Sequence, residues 1–156
     1  MWQSGGVWCL DPVNSPDLID QLRPHGRGGG FEVAWVGEGW RPLVEQCHRR
    51  LVAVFPAYEL VTIKQKHGAL SYQAFPCRWV ADESRWSQAQ QRELARITEE
   101  FWRRSETVCE WCGGDARLRE WRTVELTLCD DCDSRFPDPP VPAGSSRTGS
   151  QARETA

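Results

Sequence analysis

The chain has 156 residues, 40% hydrophobic and 26% charged, a globular composition sized for one ordinary domain or a small domain with an appended module. Its net charge of −3 argues against binding nucleic acid through bulk positive charge, and no window holds the roughly 18 uninterrupted apolar residues of a membrane span. The opening "MWQSGGVWCLDP" lacks the basic and apolar runs of a secretory signal, so the expected compartment is the cytoplasm, with no membrane partner.

Residues 1–30 read as an irregular N-terminal segment, rich in the turn signals "GG", "DPVNSPD" and "RPHGRGGG". A short helix is expected over Ser15–Leu22, with Ser15 as cap and Pro16 in the first helical position. "RGGG" at Arg27–Gly30 lacks the context of a phosphate-binding glycine loop and reads as a connector.

Residues 31–106 read as an α+β unit. "FEVAWV" alternates, which predicts a strand over Phe31–Val36 with Phe31, Val33 and Trp35 on one face. Trp40, Leu43, Val44, Cys47, Leu51 and Val54 then form one apolar stripe of a helix ended by Pro56. His48 falls off that stripe and is expected in solvent. "YELVTIKQK" and "ALSYQAF", joined through "HG", predict a hairpin over Tyr58–Lys66 and Ala69–Phe75. The expected architecture is a small, three-stranded sheet covered by an amphipathic helix. A second helix follows from Ser87, with Leu94, Ile97 and Phe101 inside and Glu99/Arg103 and Glu100/Arg104 paired outside.

Residues 107–135 carry the strongest motif. Cys109 and Cys112 form one Cys-x-x-Cys pair, Cys129 and Cys132 a second, and 16 residues separate the pairs. Thiolates at i and i+3 around a tight turn bind one metal ion, and the glycines of "CEWCGG" let backbone amides turn toward sulfur. In the spacer, "ARLREWR" and "TVELTL" predict a short hairpin with Val124, Leu126 and Leu128 on one face, and "CDDC" opens a turn or short helix. This is the layout of a zinc ribbon or treble-clef finger, with one structural Zn2+ per chain. Redox use of a Cys-x-x-Cys pair and an iron–sulfur cluster are the competing readings. Four thiolates close the tetrahedron, so the site reads as a staple, not a catalytic metal. Cys9, Cys47 and Cys77 have no mutual ligand spacing and read as free thiols. Residues 136–156 are rich in Pro, Gly, Ser and Thr and read as a disordered tail.

No catalytic constellation survives comparison with its bland alternative. His25, His48 and His67 sit in no nucleophile elbow or metalloprotease motif, and His67 reads as a polar turn residue. Glu32, Glu38 and Glu59 have no spacing that joins them, and Lys64 or Lys66 would need a cleft to act in.

The elements "GEGW", "VTIKQKHGALSYQ", "VCEWCGG" and "LTLCDDC" together resemble a family of small uncharacterised bacterial and phage proteins. Its members carry a Gly-Asp-Gly-Trp helix start, a Lys-x-Lys-x-Gly-x-Leu hairpin and a C-terminal four-cysteine finger. The resemblance spans about residues 31–132; His67 stands where the family has an aromatic and Ala69 where it has a second glycine. It implies the fold, the zinc and a phage or mobile-element setting, and no mechanism.

The reading that follows is a non-enzymatic, zinc-stabilised protein that binds another protein, as a phage or mobile-element inhibitor or an immunity-type factor. The alternative is a nucleic-acid-binding accessory factor that reads its target through Arg117, Arg119, Trp121 and Arg122 between the cysteine pairs.

Overall fold

The structure is a computed structural model that describes residues 8–79 and 86–138. It is α+β, with helices α1 (Pro16–Leu22), α2 (Arg41–Val54), α3 (Gln88–Ser105) and α4 (Asp130–Arg135). Strands β1 (Glu59–Lys66) and β2 (Ala69–Phe75) form one antiparallel pair, and β3 (Arg117–Arg119) and β4 (Leu126–Leu128) a second. Among the described residues no helix is long and apolar enough to cross a membrane.

The main core lies between the β1–β2 hairpin and helices α2 and α3. Leu43, Val44, Cys47 and Leu51 of α2 meet Leu94, Ile97 and Phe101 of α3, over Leu60, Ile63, Leu70 and Tyr72 of the hairpin. Each such side chain taken fully out of water contributes about 1.5–3 kcal/mol. Helix α3 begins with a capping box: Ser87 Oγ accepts from Gln90 N, and the Gln90 side chain accepts from Ser87 N. Glu100 pairs with Arg50 and Arg104 donates to Gln46 at 2.8 Å, so both reach across to α2 rather than to each other.

Two expectations for this unit change. Phe31–Val36 is not a strand; among the described residues its only backbone pairing is through isolated bridges, Ala34 to Leu10 and Trp35 to Lys64. Trp35 N donates to Ile63 O at 2.8 Å and Gln65 N to Trp35 O at 3.2 Å, which fastens one residue to the edge of β1. A bulge in β1 between Leu60 and Thr62 breaks the register a longer ladder would need. The faces are also reversed: Ala34 and Val36 are buried, and Trp35 is 61% exposed. The second change is His48, which is buried, its Nδ1 2.7 Å from Tyr58 Oη. Tyr58 Oη is also 2.7 Å from Tyr72 Oη, so three polar side chains satisfy one another inside the core. Burial, with His25 and Arg49 adding to it, lowers the His48 pKa to about 4.

Residues 8–30 are more ordered than the composition of the N-terminal segment suggests. α1 buries Leu18, Ile19 and Leu22, and Leu10 is fully buried against the main core. Pro16 opens the helix as expected, but Ser15 makes no capping bond; its hydroxyl donates to Asn14 and accepts from Arg41 Nε.

Candidate metal centre

The two Cys-x-x-Cys turns converge at the C-terminal end of the fold. Cys109–Gly114 forms a knuckle closed by Cys109 N to Gly114 O at 2.7 Å and Gly113 N to Cys109 O at 2.9 Å. The β3–β4 hairpin returns the chain, and Cys129 stands at the N-terminal end of α4 with Cys132 in its first turn. The four Sγ atoms lie within 4.8 Å of one another. Backbone amides point at three of them: Cys112 N and Cys132 N at Cys109 Sγ and Cys129 Sγ (3.5 and 3.3 Å), and Gly114 N at Cys112 Sγ (3.4 Å).

This donor set fits a tetrahedral cation. A four-sulfur site with metal–sulfur bonds of about 2.3 Å has tetrahedron edges near 3.8 Å, and Cys112 Sγ and Cys129 Sγ are 3.7 Å apart. Amide donation from Cys132 favours the Cys129 thiolate, while burial opposes charge on Cys132. Four thiolates this close would repel one another, and a cation among them would relieve that repulsion. The remaining cysteines lie elsewhere: Cys47 is buried in α2, and Cys9 and Cys77 are partly exposed.

Around the sulfurs is a second, small core. Cys109, Leu128, Cys132 and Phe136 are buried, with Trp8 and Trp111 packed against them. Trp111 meets Trp8 at 4.9 Å and Phe136 edge-on at 4.4 Å. Phe136 thus belongs to the ordered module instead of opening the tail; residues 139–156 of the expected disordered segment lie outside the described residues. Val124 is 49% exposed and precedes β4, so only Leu126 and Leu128 of its expected trio turn inward.

The arginines between the cysteine pairs divide into two kinds. Arg119 and Arg122 are buried: Arg119 donates to Leu128 O (3.0 Å) and Asp130 (2.7 Å), and Arg122 to Asp133 Oδ1 (2.8 Å), Asp133 O and Phe136 O. Their charges are spent on α4 and its C-terminal carbonyls, not offered to a ligand. Arg117 and Trp121 are exposed, although Trp121 Nε1 also donates to Asp133 (3.2 Å).

What the sequence reading missed is how the metal module joins the rest. Gly37–Trp40 lies against the knuckle: Gly39 N donates to Glu110 O at 2.8 Å, and Trp40 Nε1 to Val108 O at 2.8 Å. A Cβ on Gly39 would stand 2.2 Å from Cys109 O, so only glycine permits this approach. The hairpin tip makes the second joint. Thr127 Oγ1 donates to Gly68 O at 2.5 Å, and a Cβ on Gly68 would be 2.3 Å from Leu118 Cδ1. His67 and Gly68 take φ of 52° and 76° in this turn, and His67 is exposed. Between the joints, Glu110 is buried; its Oε2 accepts from Gly37 N at 3.2 Å, Oε1 has no hydrogen-bond partner among the described residues, and burial raises its pKa to about 7. The glycine pair ahead of Trp40 was the available signal, since glycines two apart at a helix start mark a close approach by another backbone.

The other candidates stay apart. Glu32, Glu38 and Glu59 do not converge; each pairs with its own arginine, Arg23, Arg41 and Arg27. Lys64 and Lys66 are exposed on β1. Compared with protein families, curated proteins and solved structures, the chain finds no match in any of the three.

Proposed function

We propose that this is a non-enzymatic protein, stapled by one structural zinc, whose task is to bind another protein. The observation that carries the reading is the closed set of four sulfurs within 4.8 Å, held by two knuckles and locked to the main core through glycine contacts. Four thiolates leave zinc no open position for water or substrate, and such a site contributes folding energy. Zinc is favoured over an iron–sulfur cluster because the 3.7 Å sulfur separation fits the edge of a single-ion tetrahedron. Redox use is disfavoured because both pairs serve one site.

Protein binding is supported by aromatic surface. Trp35, Trp121 and Trp79 are 61%, 60% and 47% exposed, and Val61 next to the Trp35 crossing is 39% exposed. Large exposed aromatics mark interfaces more often than they decorate inert surfaces. The burial of Arg119 and Arg122 counts against the nucleic-acid reading, which leaves Arg117 as its one exposed arginine between the pairs. A phage or mobile-element inhibitor or immunity-type factor acting in the cytoplasm is the setting we favour, on the residues that carry the family resemblance.

The test is affinity capture at near-physiological salt with the zinc-loaded wild type, Trp35→Ala and Trp121→Ala. A partner held by wild type and lost from a folded tryptophan variant is expected. Capture unaffected by either variant, together with a salt-sensitive gel shift on nucleic acid, would overturn the reading.

A further inference from the structure

We propose that the cavity between the Pro24–Gly29 loop and the start of β1 is a binding site for a small phosphomonoester. The cavity measures about 230 Å³ and is lined by His25, Arg27, Tyr58, Glu59 and Arg78, with glycines on its loop side. It is smaller than the roughly 300–1,000 Å³ sites of drug-sized ligands, which suits a compact polar group. It is formed from the N-terminal loop and the α+β unit, and none of the four metal-site cysteines lines it.

Two side chains there, His25 and Arg27, are held in place, and Arg78 lines the cavity beside them. His25 stacks on the Tyr58 ring at 4.3 Å, nearly parallel, with the His48 ring edge-on at 5.2 Å. Its Nδ1 is 2.9 Å from Tyr58 O, and a carbonyl only accepts, so Nδ1 carries a proton. Nε2 has no partner among the described residues; it accepts from a protonated phosphate oxygen when the ring is neutral and donates to an ionised one when the ring is charged. Arg27 is fixed through Nε, 2.8 Å from Glu59 Oε1, with its guanidinium carbon 6.0 Å from the Phe75 ring centre and 5.9 Å from that of Trp79. Its two terminal nitrogens make no hydrogen bond among the described residues. Arg78 is exposed and has no ion pair among them.

The charge balance selects an anion. Glu59 is buried, and both its oxygens are engaged, Oε1 by Arg27 and Oε2 by Trp79 N at 3.3 Å. Glu59 therefore orients Arg27 and offers no free acceptor to a cation. Two arginines face one committed carboxylate, leaving the cavity net positive. A phosphomonoester presents three terminal oxygens, one each for the Arg27 fork, Arg78 and His25 Nε2, whereas a carboxylate has only two. Exposed Trp79, whose ring centre lies 5.9 Å from the Arg27 guanidinium carbon, offers a ring to the substituent.

The experiment is an NMR titration of the full, zinc-loaded chain with inorganic phosphate and, separately, with adenosine 5′-monophosphate. Expected are saturable shifts in the His25 ring nitrogens and in the amides of residues 26–29 and 78–79. Arg78→Ala should weaken binding roughly tenfold, in keeping with loss of one charge-assisted contact, at unchanged thermal stability because Arg78 is exposed. Tighter binding of the nucleotide than of phosphate, reduced by Trp79→Ala, would assign the substituent to the Trp79 face and support the site. Unmoved His25 signals at tens of millimolar ligand, affinity indifferent to Arg78→Ala, or shifts centred on Arg49 and Arg104 between α2 and α3 would overturn it. None of these readouts depends on a protein partner.

Discussion

Replacing Gly39 with alanine tests whether the metal module is bonded into the fold or only tethered to it. The new Cβ would lie 2.2 Å from Cys109 O, 2.6 Å from Gly113 N and 2.7 Å from the Glu110 carbonyl carbon, all backbone atoms with no rotamer to yield. Ordinary contact is beyond 3.4 Å, so the Gly37–Trp40 turn and the knuckle must separate by about 1 Å. That displacement stretches two hydrogen bonds, Gly39 N to Glu110 O and Trp40 Nε1 to Val108 O, both 2.8 Å. Overpacking of this kind costs about 1–3 kcal/mol, and each weakened hydrogen bond about 1 kcal/mol. The expected loss is therefore about 3–5 kcal/mol, a large share of the roughly 5–15 kcal/mol that holds a domain together. Urea unfolding of the zinc-loaded protein, followed by tryptophan fluorescence, reads it directly, with Gly30→Ala as control. Gly30 is exposed, at a negative φ, and its nearest neighbour would be 3.7 Å away, so its substitution should stay within about 0.5 kcal/mol of wild type. A Gly39→Ala protein within 1 kcal/mol of wild type would refute the claim that the joint needs glycine.

Three further outcomes are expected. Cys109→Ser or Cys132→Ser should release the metal and unfold the module around Phe136, seen as loss of zinc in elemental analysis; retention by both variants would contradict four-thiolate binding. Arg122→Ala should cost about 2–4 kcal/mol because it strips a buried guanidinium from Asp133 and Phe136 O, while Arg117→Ala, on an exposed side chain, should cost under about 0.5 kcal/mol; denaturation midpoints compare them. Stability should also fall as pH drops from about 6.5 to about 4, because the unfolded chain protonates His48 in that window and the folded chain does not. The contribution is complete above pH 6.5 and amounts to at most about 3 kcal/mol. Acid also strips metal from thiolates, so the quantity to measure is the difference in pH slope between wild type and His48→Gln, and equal slopes would contradict the assignment.

Periodicity and spacing made much of this fold legible. The stripe from Leu43 to Leu51, the paired strands about His67–Gly68 and the two Cys-x-x-Cys turns each encode local geometry, and local geometry is what a sequence pattern reports. Phe31–Val36 misled because its alternation is real but its burial is set from outside. Ala34 fits beneath Leu10, Trp40 anchors on Val108 O, and Trp35 is left facing out. His48 misled for a related reason, since the partner that makes its burial tolerable, Tyr58, comes from another element. Arg119 and Arg122 look like a reading face in sequence, yet Asp130 and Asp133 inside "CDDCD" draw both inward. In every such case the deciding neighbour lies outside the local segment, and no single-segment pattern carries it.

The most direct measurement is zinc K-edge X-ray absorption on the purified chain, paired with a metal count. One zinc per chain in a shell of four sulfurs at about 2.3 Å, with no nitrogen or oxygen ligand, is expected. A shell with a light-atom ligand would reopen the site to catalysis, and a protein that folds and stays folded without any metal would contradict the staple.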